Sequence, residues 1–441
     1  MRHRRLSGVI VLILVLASSL LSGCAREQDD ERTLTYWASN QGNSPQQDRR
    51  ILNEEFEKFT ARTGIEVNVE VIGWGDLLNK ILGSAVSGVG PDVVNLGNTW
   101  AASLQATGAF VPFTEERMQR LGGRDRFLET SMSSTGMSGR PPSSVPLYGL
   151  SYGVFYNKAM FREAGIEQPP ENWSEFVDVA RDLTRPSQDQ WGMTLAGASY
   201  TENAHFAFML GNQEGAQLFD SNGRATFASP RMASGVQRYV ELMSEHRVVN
   251  PDDAEIGSAT EAVGNFATGE AGMLVAQNSS IAAIRAAGMS DSEWGVFPLP
   301  TPDPLPEGGE AVRSHVAGTN IAVYRNSENK DAAIELVKFL TSAEEQSILN
   351  EKYGSLPVVS DAYDNPAFNT DALRTFSRIL AESSKQVPMI PNENRFETTV
   401  GAAVRDLFAR AGTNRSVRRE DIAEALDQAQ QKMRSGGGST R

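Results

Sequence analysis

Residues 65–98 read IEVNVEVIGWGDLLNKILGSAVSGVGPDVVNLGN, and they decide the fold. I65-E66-V67-N68-V69-E70-V71 alternates apolar and polar residues, the period of a strand. The next segment places Leu77, Leu78, Ile81 and Leu82 on one helical face. "GPDVVNLGN" then holds a short apolar strand. Strand, helix and strand in that order imply a parallel pair joined by a right-handed crossover. Upstream, T33-L34-T35-Y36-W37 is short and β-rich. "SPQQDRRILNEEFEKFTARTG" brings Ile51, Leu52, Phe56 and Phe59 onto one face, with Ser44 and Pro45 suited to start a helix and Gly64 to stop it. Downstream, "TWAASLQATG" starts another helix. The run is β-α-β-α-β-α, an α/β fold with a mostly parallel sheet flanked by helices.

In such sheets ligands gather at the carboxyl ends of the strands. That rule selects the loops A38-S39-N40-Q41-G42-N43-S44, I72-G73-W74 and G97-N98-T99-W100. They are rich in groups that both donate and accept hydrogen bonds, and two of them carry a Trp. Asn and Gly also serve as ordinary loop and cap residues, and Trp74 and Trp100 could equally be core packing.

The N-terminus adds a different signal. "MRHRR" precedes the apolar run "VIVLILVLASSL", which is signal-peptide-like and short for a membrane span. L21-S22-G23-C24 resembles the bacterial lipobox, which implies cleavage before Cys24 and its lipidation. Residues 1–23 are then a signal peptide and 24–32 a lipidated tether; 433–441 read as a flexible tail. Cys24 is the only cysteine, so neither a disulfide nor a Cys-based metal site is expected. No cofactor or metal requirement is expected either. A formal net charge of −14 argues against nucleic acid as a partner.

Several blocks taken together resemble the extracellular solute-binding proteins of ABC importers, in the carbohydrate cluster that includes the maltose-binding proteins. They are "GWGDLLNKILGSAVSGVGPDVVNL", "LQATGAFVPF", "PLYGLSYGVFYNKAMFREAGIEQPPENWSEFVDVARDLT", "FATGEAGMLVAQNSS", "VAGTNIAVY" with "AAIELVKFLTSAEEQ", and "YGSLPVV". The resemblance implies two α/β lobes joined by hinge crossovers, with lobe one at 33–148 and 302–350 and lobe two at 149–301 and 351–432. "VPLYGLSYGVFYN" would take the chain out, "VFPLPTP" back, and "NEKYGSLPVV" across again. It further implies a non-enzymatic, monomeric receptor on the outer face of the cell membrane. The partners would be a sugar, the permease subunits with their cytoplasmic ATPase, and the membrane through the lipid only.

The residues expected to meet a solute are Ser39, Asn40, Gln41, Trp74, Asn98 and Trp100 from the first lobe. Ser151 and Tyr152 lie beside the hinge. Asn203, His205, Gln277, Asn278 and Ser279 come from the second lobe. Thr319, Asn320, Gly354, Arg395 and Phe396 come from the returning segments. Planar amides and hydroxyls suit adjacent sugar hydroxyls, and rings suit the C–H faces. Two other function classes stay open. The fold could hold another polar solute such as a glycerol phosphodiester, toward which Arg395 leans. Alternatively, G149-L150-S151-Y152-G153 fits G-x-S-x-G, the pattern of a hydrolase nucleophile. Pro146 before Ser151 and V154-F155-Y156 after it do not make the strand–turn–helix that an elbow needs.

Overall fold

The computed structural model describes residues 33–413 and 415–435. Cys24 and the expected signal peptide and tether lie outside the described residues. Within them no helix is long and apolar enough to cross a membrane.

The first sheet runs β2-β1-β3-β10-β4, from β1 (Thr33–Ser39), β2 (Glu66–Ile72), β3 (Val93–Gly97), β4 (Val145–Leu150) and β10 (Ala317–Val323). β1 is parallel to β2 and β3, whereas β10 runs antiparallel to β3 and β4 because it enters from the hinge side. Helix α1 (Pro45–Thr63) starts where Ser44 Oγ accepts the Gln47 N–H at 3.2 Å. It stops at Gly64, whose φ of 71° is the left-handed cap that glycine tolerates. Leu52, Phe56 and Phe59 go inward, as does Leu77-Leu78-Ile81 of helix α2 (Trp74–Ser87). The two faces of the sheet are thereby covered by separate apolar cores.

The second sheet runs β6-β7-β5-β8, from β5 (Tyr152–Asn157), β6 (Trp191–Thr194), β7 (Ala271–Gln277) and β8 (Trp294–Phe297). Helices α3 (Tyr200–Gln213) and α4 (Glu393–Gly412) pack on one face. They approach so closely that a Cβ on Gly401 would lie 1.9 Å from the Tyr200 carbonyl oxygen. A two-residue parallel pair, β9 (Ser314–His315) with β11 (Ser384–Lys385), lies beside the crossovers. The architecture is therefore two helix-flanked α/β lobes.

The segments linking the lobes differ in detail from the expected boundaries. The Pro-rich stretch from 298 stays on the second lobe: Leu299 and Val312 join its core, and Gln213 Nε2 donates to the Val312 carbonyl at 2.8 Å. The chain returns at 314–317. Past residue 350, Tyr353, Val358, Val359 and Ala362 still pack in the first lobe's core. The final helix runs to Ser435, with Met433 buried, so residues 433–435 of the expected tail are helical.

One side chain ties these crossovers together. Asn278 Oδ1 accepts the Ser151 N–H at 2.8 Å, and its Nδ2 donates to the carbonyls of Gly354 at 2.9 Å and Gly149 at 3.5 Å. Gly149 and Leu356 also exchange two backbone hydrogen bonds of 2.8 Å.

Candidate functional site

Between the lobes lies a cavity of about 770 Å³. The first lobe lines it with the loops after β1, β2 and β3, the three strand ends selected from the sequence. The second lobe contributes the start of α3, residues 257–261 at the start of the helix Ala259–Ala267, the end of β7 and Glu397 of α4. Leu150, Tyr152, His315 and Gly318 of the crossovers complete the lining.

The fold brings together Asn40, Gln41, Trp74, Asn98, Trp100, Tyr152, His205, Gln277 and Ser279 on this cavity. Their geometry is set locally. Asp48, wholly buried on α1, accepts from Asn40 Nδ2 at 2.7 Å and from the Gln41 and Gly42 N–H groups at 2.6 and 3.0 Å, which holds the first loop. Trp74 Nε1 donates to the Asn40 carbonyl at 2.8 Å and so joins the second loop to the first. Asn98 Nδ2 is spent on the Val316 carbonyl and Ser134 Oγ.

The remaining expected residues are turned away from the cavity. Ser39 is buried under the sheet, accepting from Gln41 Nε2 and Asn95 Nδ2. Ser151 sits between β4 and β5 with its Oγ donated to the Phe376 carbonyl at 2.9 Å. No helix follows it, so it is not built as an elbow nucleophile. Asn203 donates to the Gly197 carbonyl, and Asn278 serves the hinge. Thr319 faces Gln41, and Asn320 donates to the Ser134 carbonyl. Gly354 is the left-handed cap of the helix before it. Phe396 is core, edge-on to Phe219 and Phe227. Arg395, its neighbour, is not among the lining residues. Ser151, Asn203, Asn278 and Asn320 are consumed in satisfying buried backbone, and Ser39 and Thr319 in meeting other side chains, which short sequence motifs do not reveal.

The structure adds groups that the sequence did not single out. Glu397 Oε2 accepts from Thr99 Oγ1 at 2.9 Å and Trp100 Nε1 at 3.0 Å, a bond set that crosses from lobe to lobe. Trp100 is only 1% exposed, with Trp74 edge-on at 5.6 Å, so its ring is first a core residue and only at its edge a cavity wall. Burial pushes the Glu397 carboxyl up to about 7, with its two hydrogen bonds opposing. Glu393, one turn earlier, is raised well above the usual range by burial and by Glu397. Glu202 is pushed up to about 7 by burial, the Ala259 N–H offsetting part of it. The His205 and His315 rings lie tilted by 34° with centroids 4.0 Å apart, and Tyr152 Oη meets His205 Nδ1 at 3.0 Å. Burial lowers the His315 pKa to about 3 and His205 well below 6.5, so both rings are neutral at pH 7. Among the described residues no lysine or arginine lines the cavity.

The family of bacterial extracellular solute-binding proteins matches residues 43–347. The chain belongs to that family. This solute-binding protein is 24% identical over 371 residues to the diacetylchitobiose-binding protein of Streptomyces coelicolor, covering 80% of this chain and 82% of that one. It is 22% identical over 399 residues to the sn-glycerol-3-phosphate-binding periplasmic protein of Rhizobium meliloti, covering 86% and 89%. Its fold is that of the ABC transporter solute-binding protein of Thermotoga lettingae, solved with α-D-tagatose. The TM-score is 0.78 at 21% identity, with 91% of this chain and all of that chain covered. Family and fold are those of ABC-importer solute-binding proteins and not of enzymes, which removes the hydrolase reading.

Proposed function

We propose that this protein is the receptor of an ABC importer that captures a neutral sugar or polyol between its lobes and delivers it to the permease. The observation that carries this reading is the lining of the cavity. Both lobes supply amides, hydroxyls and aromatic edges, and neither supplies a lysine or arginine. Hydroxyl-rich solutes need such mixed donors and acceptors, whereas a phosphodiester would meet helix N-termini at 73–75, 199–202 and 258–261 but no cation among the described residues, with Glu202, Glu261 and Glu397 beside it. The glycerol phosphodiester alternative is thereby disfavoured, although one relative is named for glycerol 3-phosphate.

On this reading the contacts from lobe one are Asn40, Gln41, Trp74 and Asn98, and those from lobe two are His205, Gln277 and Ser279, with Tyr152 at the hinge. Closure follows when the solute makes better contacts in the closed state. The monomeric receptor is held on the outer face of the cell membrane by lipidated Cys24. A thermal-shift screen of the lipid-free protein against sugars and polyols tests the function. A solute at 100 times its Kd adds about 2.7 kcal/mol of stability. A panel in which only glycerol phosphodiesters raise the melting temperature would reverse the choice of solute class.

A further inference from the structure

Three carboxyl side chains line the cleft: Glu202, Glu261 and Glu397. Glu261 is occupied at the rim, capping its own helix by accepting the Gly257 N–H at 2.8 Å. The other two stand on α3 and α4, the helices that approach closest in the second lobe. Both act on the same phenol, raising Tyr152 in addition to the effect of its burial. Glu202 has one oxygen on the Ala259 N–H at 3.0 Å. Glu397 has Oε2 on Thr99 and Trp100, while its Oε1 is buried with no partner among the described residues. His205, 8% exposed on the same cavity, likewise has an Nε2 without a partner. The other titratable groups at this corner are Glu393, Tyr200, Tyr152, Tyr239, Asp76 and His315, none of them a cation at pH 7.

We infer that this cleft prefers, over the neutral sugars and polyols proposed above, a solute of the same hydroxyl-rich skeleton that carries a protonated amine. The inference rests on the reading of the cleft as the solute site. A carboxylate taken out of water needs a counter-charge or a proton, and the protein supplies no counter-charge here. The raised proton affinity of Glu202 and Glu397 is the free protein's answer. An ammonium supplies the missing charge and donates up to three hydrogen bonds, whereas a hydroxyl donates one neutral bond. The edges of Trp74 and Trp100 and the Tyr152 ring add polarizable apolar wall around it.

The test is calorimetric titration of the purified protein with matched pairs: D-glucosamine against D-glucose, glucamine against D-sorbitol, and chitobiose against cellobiose. We expect at least one amine to bind about ten-fold or more tighter than its hydroxyl congener, as charge-assisted bonds exceed neutral ones. Glucamine, an alkylamine already protonated at pH 7, should also release protons on binding, because it drives Glu202 and Glu397 to ionise. Repeating the titration in two buffers of different ionisation enthalpy measures that release. Glu202→Gln and Glu397→Gln should each shrink the amine preference while neutral congeners still bind; if one variant fails to fold, the other carries the test. Neutral congeners binding as well as the amines, without proton release, overturn the inference and leave sugar capture standing. An amine preference untouched by both variants also overturns it. A cleft that binds none of the six removes the inference together with the solute reading beneath it.

Discussion

Replacing Trp100 by Phe isolates the bond between the lobes. The ring stays in the pocket that Trp74 and Gly97 form around it, so the apolar packing is largely kept. What is lost is the Nε1–H donated to Glu397 Oε2 at 3.0 Å. Hydrogen bonds to a charged acceptor contribute about 1.5–3 kcal/mol net. Thr99 Oγ1 still donates to the same oxygen at 2.9 Å, and a carboxyl raised to about 7 takes up a proton when a donor leaves. Both facts place the expected loss at the lower end, about 1.5 kcal/mol, or roughly ten-fold in the closed-to-open ratio. On the proposed hinge motion both groups meet water in the open protein, so the loss is expected to fall on the closed state alone. Solute affinity should drop by up to that factor, and small-angle scattering of the solute-free protein should show a larger radius of gyration. In Glu397→Gln the Trp100→Phe effect should shrink, since the charge-assisted part is already gone. An unchanged radius and unchanged affinity in Trp100→Phe would show that this bond does not hold the lobes.

Other expectations follow from the same geometry. Asp48→Ala leaves the Gln41 and Gly42 N–H groups without their acceptor and should destabilise the protein by about 2–5 kcal/mol in chemical denaturation, with solute affinity falling as the loop loosens; an affinity equal to the parent's would mean that this loop does not touch solute. The folded Glu202 and Glu397 carboxyls titrate near 7, above the ordinary carboxyl value, so the stability they confer is full below about pH 4.5 and lost as the pH rises to about 7. The melting temperature should therefore gain from pH 8 to pH 5 relative to Glu397→Gln, and a parallel pH profile for the two proteins would contradict this. Ser151→Ala removes one buried hydrogen bond, costs about 0.5–1.5 kcal/mol of stability, and leaves solute capture in place. Cys24→Ser should release the protein from the membrane fraction or leave an unprocessed precursor; a variant still processed and lipid-bound sinks the anchor assignment.

Elements with a strong period were legible in the sequence. The alternation at 65–71, the Ser44-Pro45 start and the Gly64 stop all translate into β2 and α1 because local chemistry decides them. The three strand-end loops were legible too, since topology alone sends them to the cleft. Asparagine was the ambiguous residue. Asn40 and Asn98 reach the cavity, while Asn203, Asn278 and Asn320 are spent on buried backbone, and the same amide serves both uses. Glu397 was illegible because its role depends on Trp100, nearly 300 residues away in the chain. His315 meets His205 only because a crossover passes beside helix α3, a juxtaposition that the sequence does not show. The Pro-rich stretch from 298 was expected to bring the chain back to the first lobe, yet the anchorage of Val312 by Gln213 keeps it on the second.

The way Asn278 holds the crossovers separates two things a receptor must do. Its partners are the Ser151 N–H and the carbonyls of Gly149 and Gly354, all main-chain groups that every side-chain substitution leaves in place. The loops that face the solute end elsewhere, at the tips of β1, β2 and β3. New side chains on those loops can therefore retune what is captured without redrawing the pivot. For protein engineering this makes the chain a modular sensor scaffold: the recognition surface can be rewritten while the motion that reports occupancy is inherited unchanged. Asn278→Ala is the one small change that should strike the second property and spare the first.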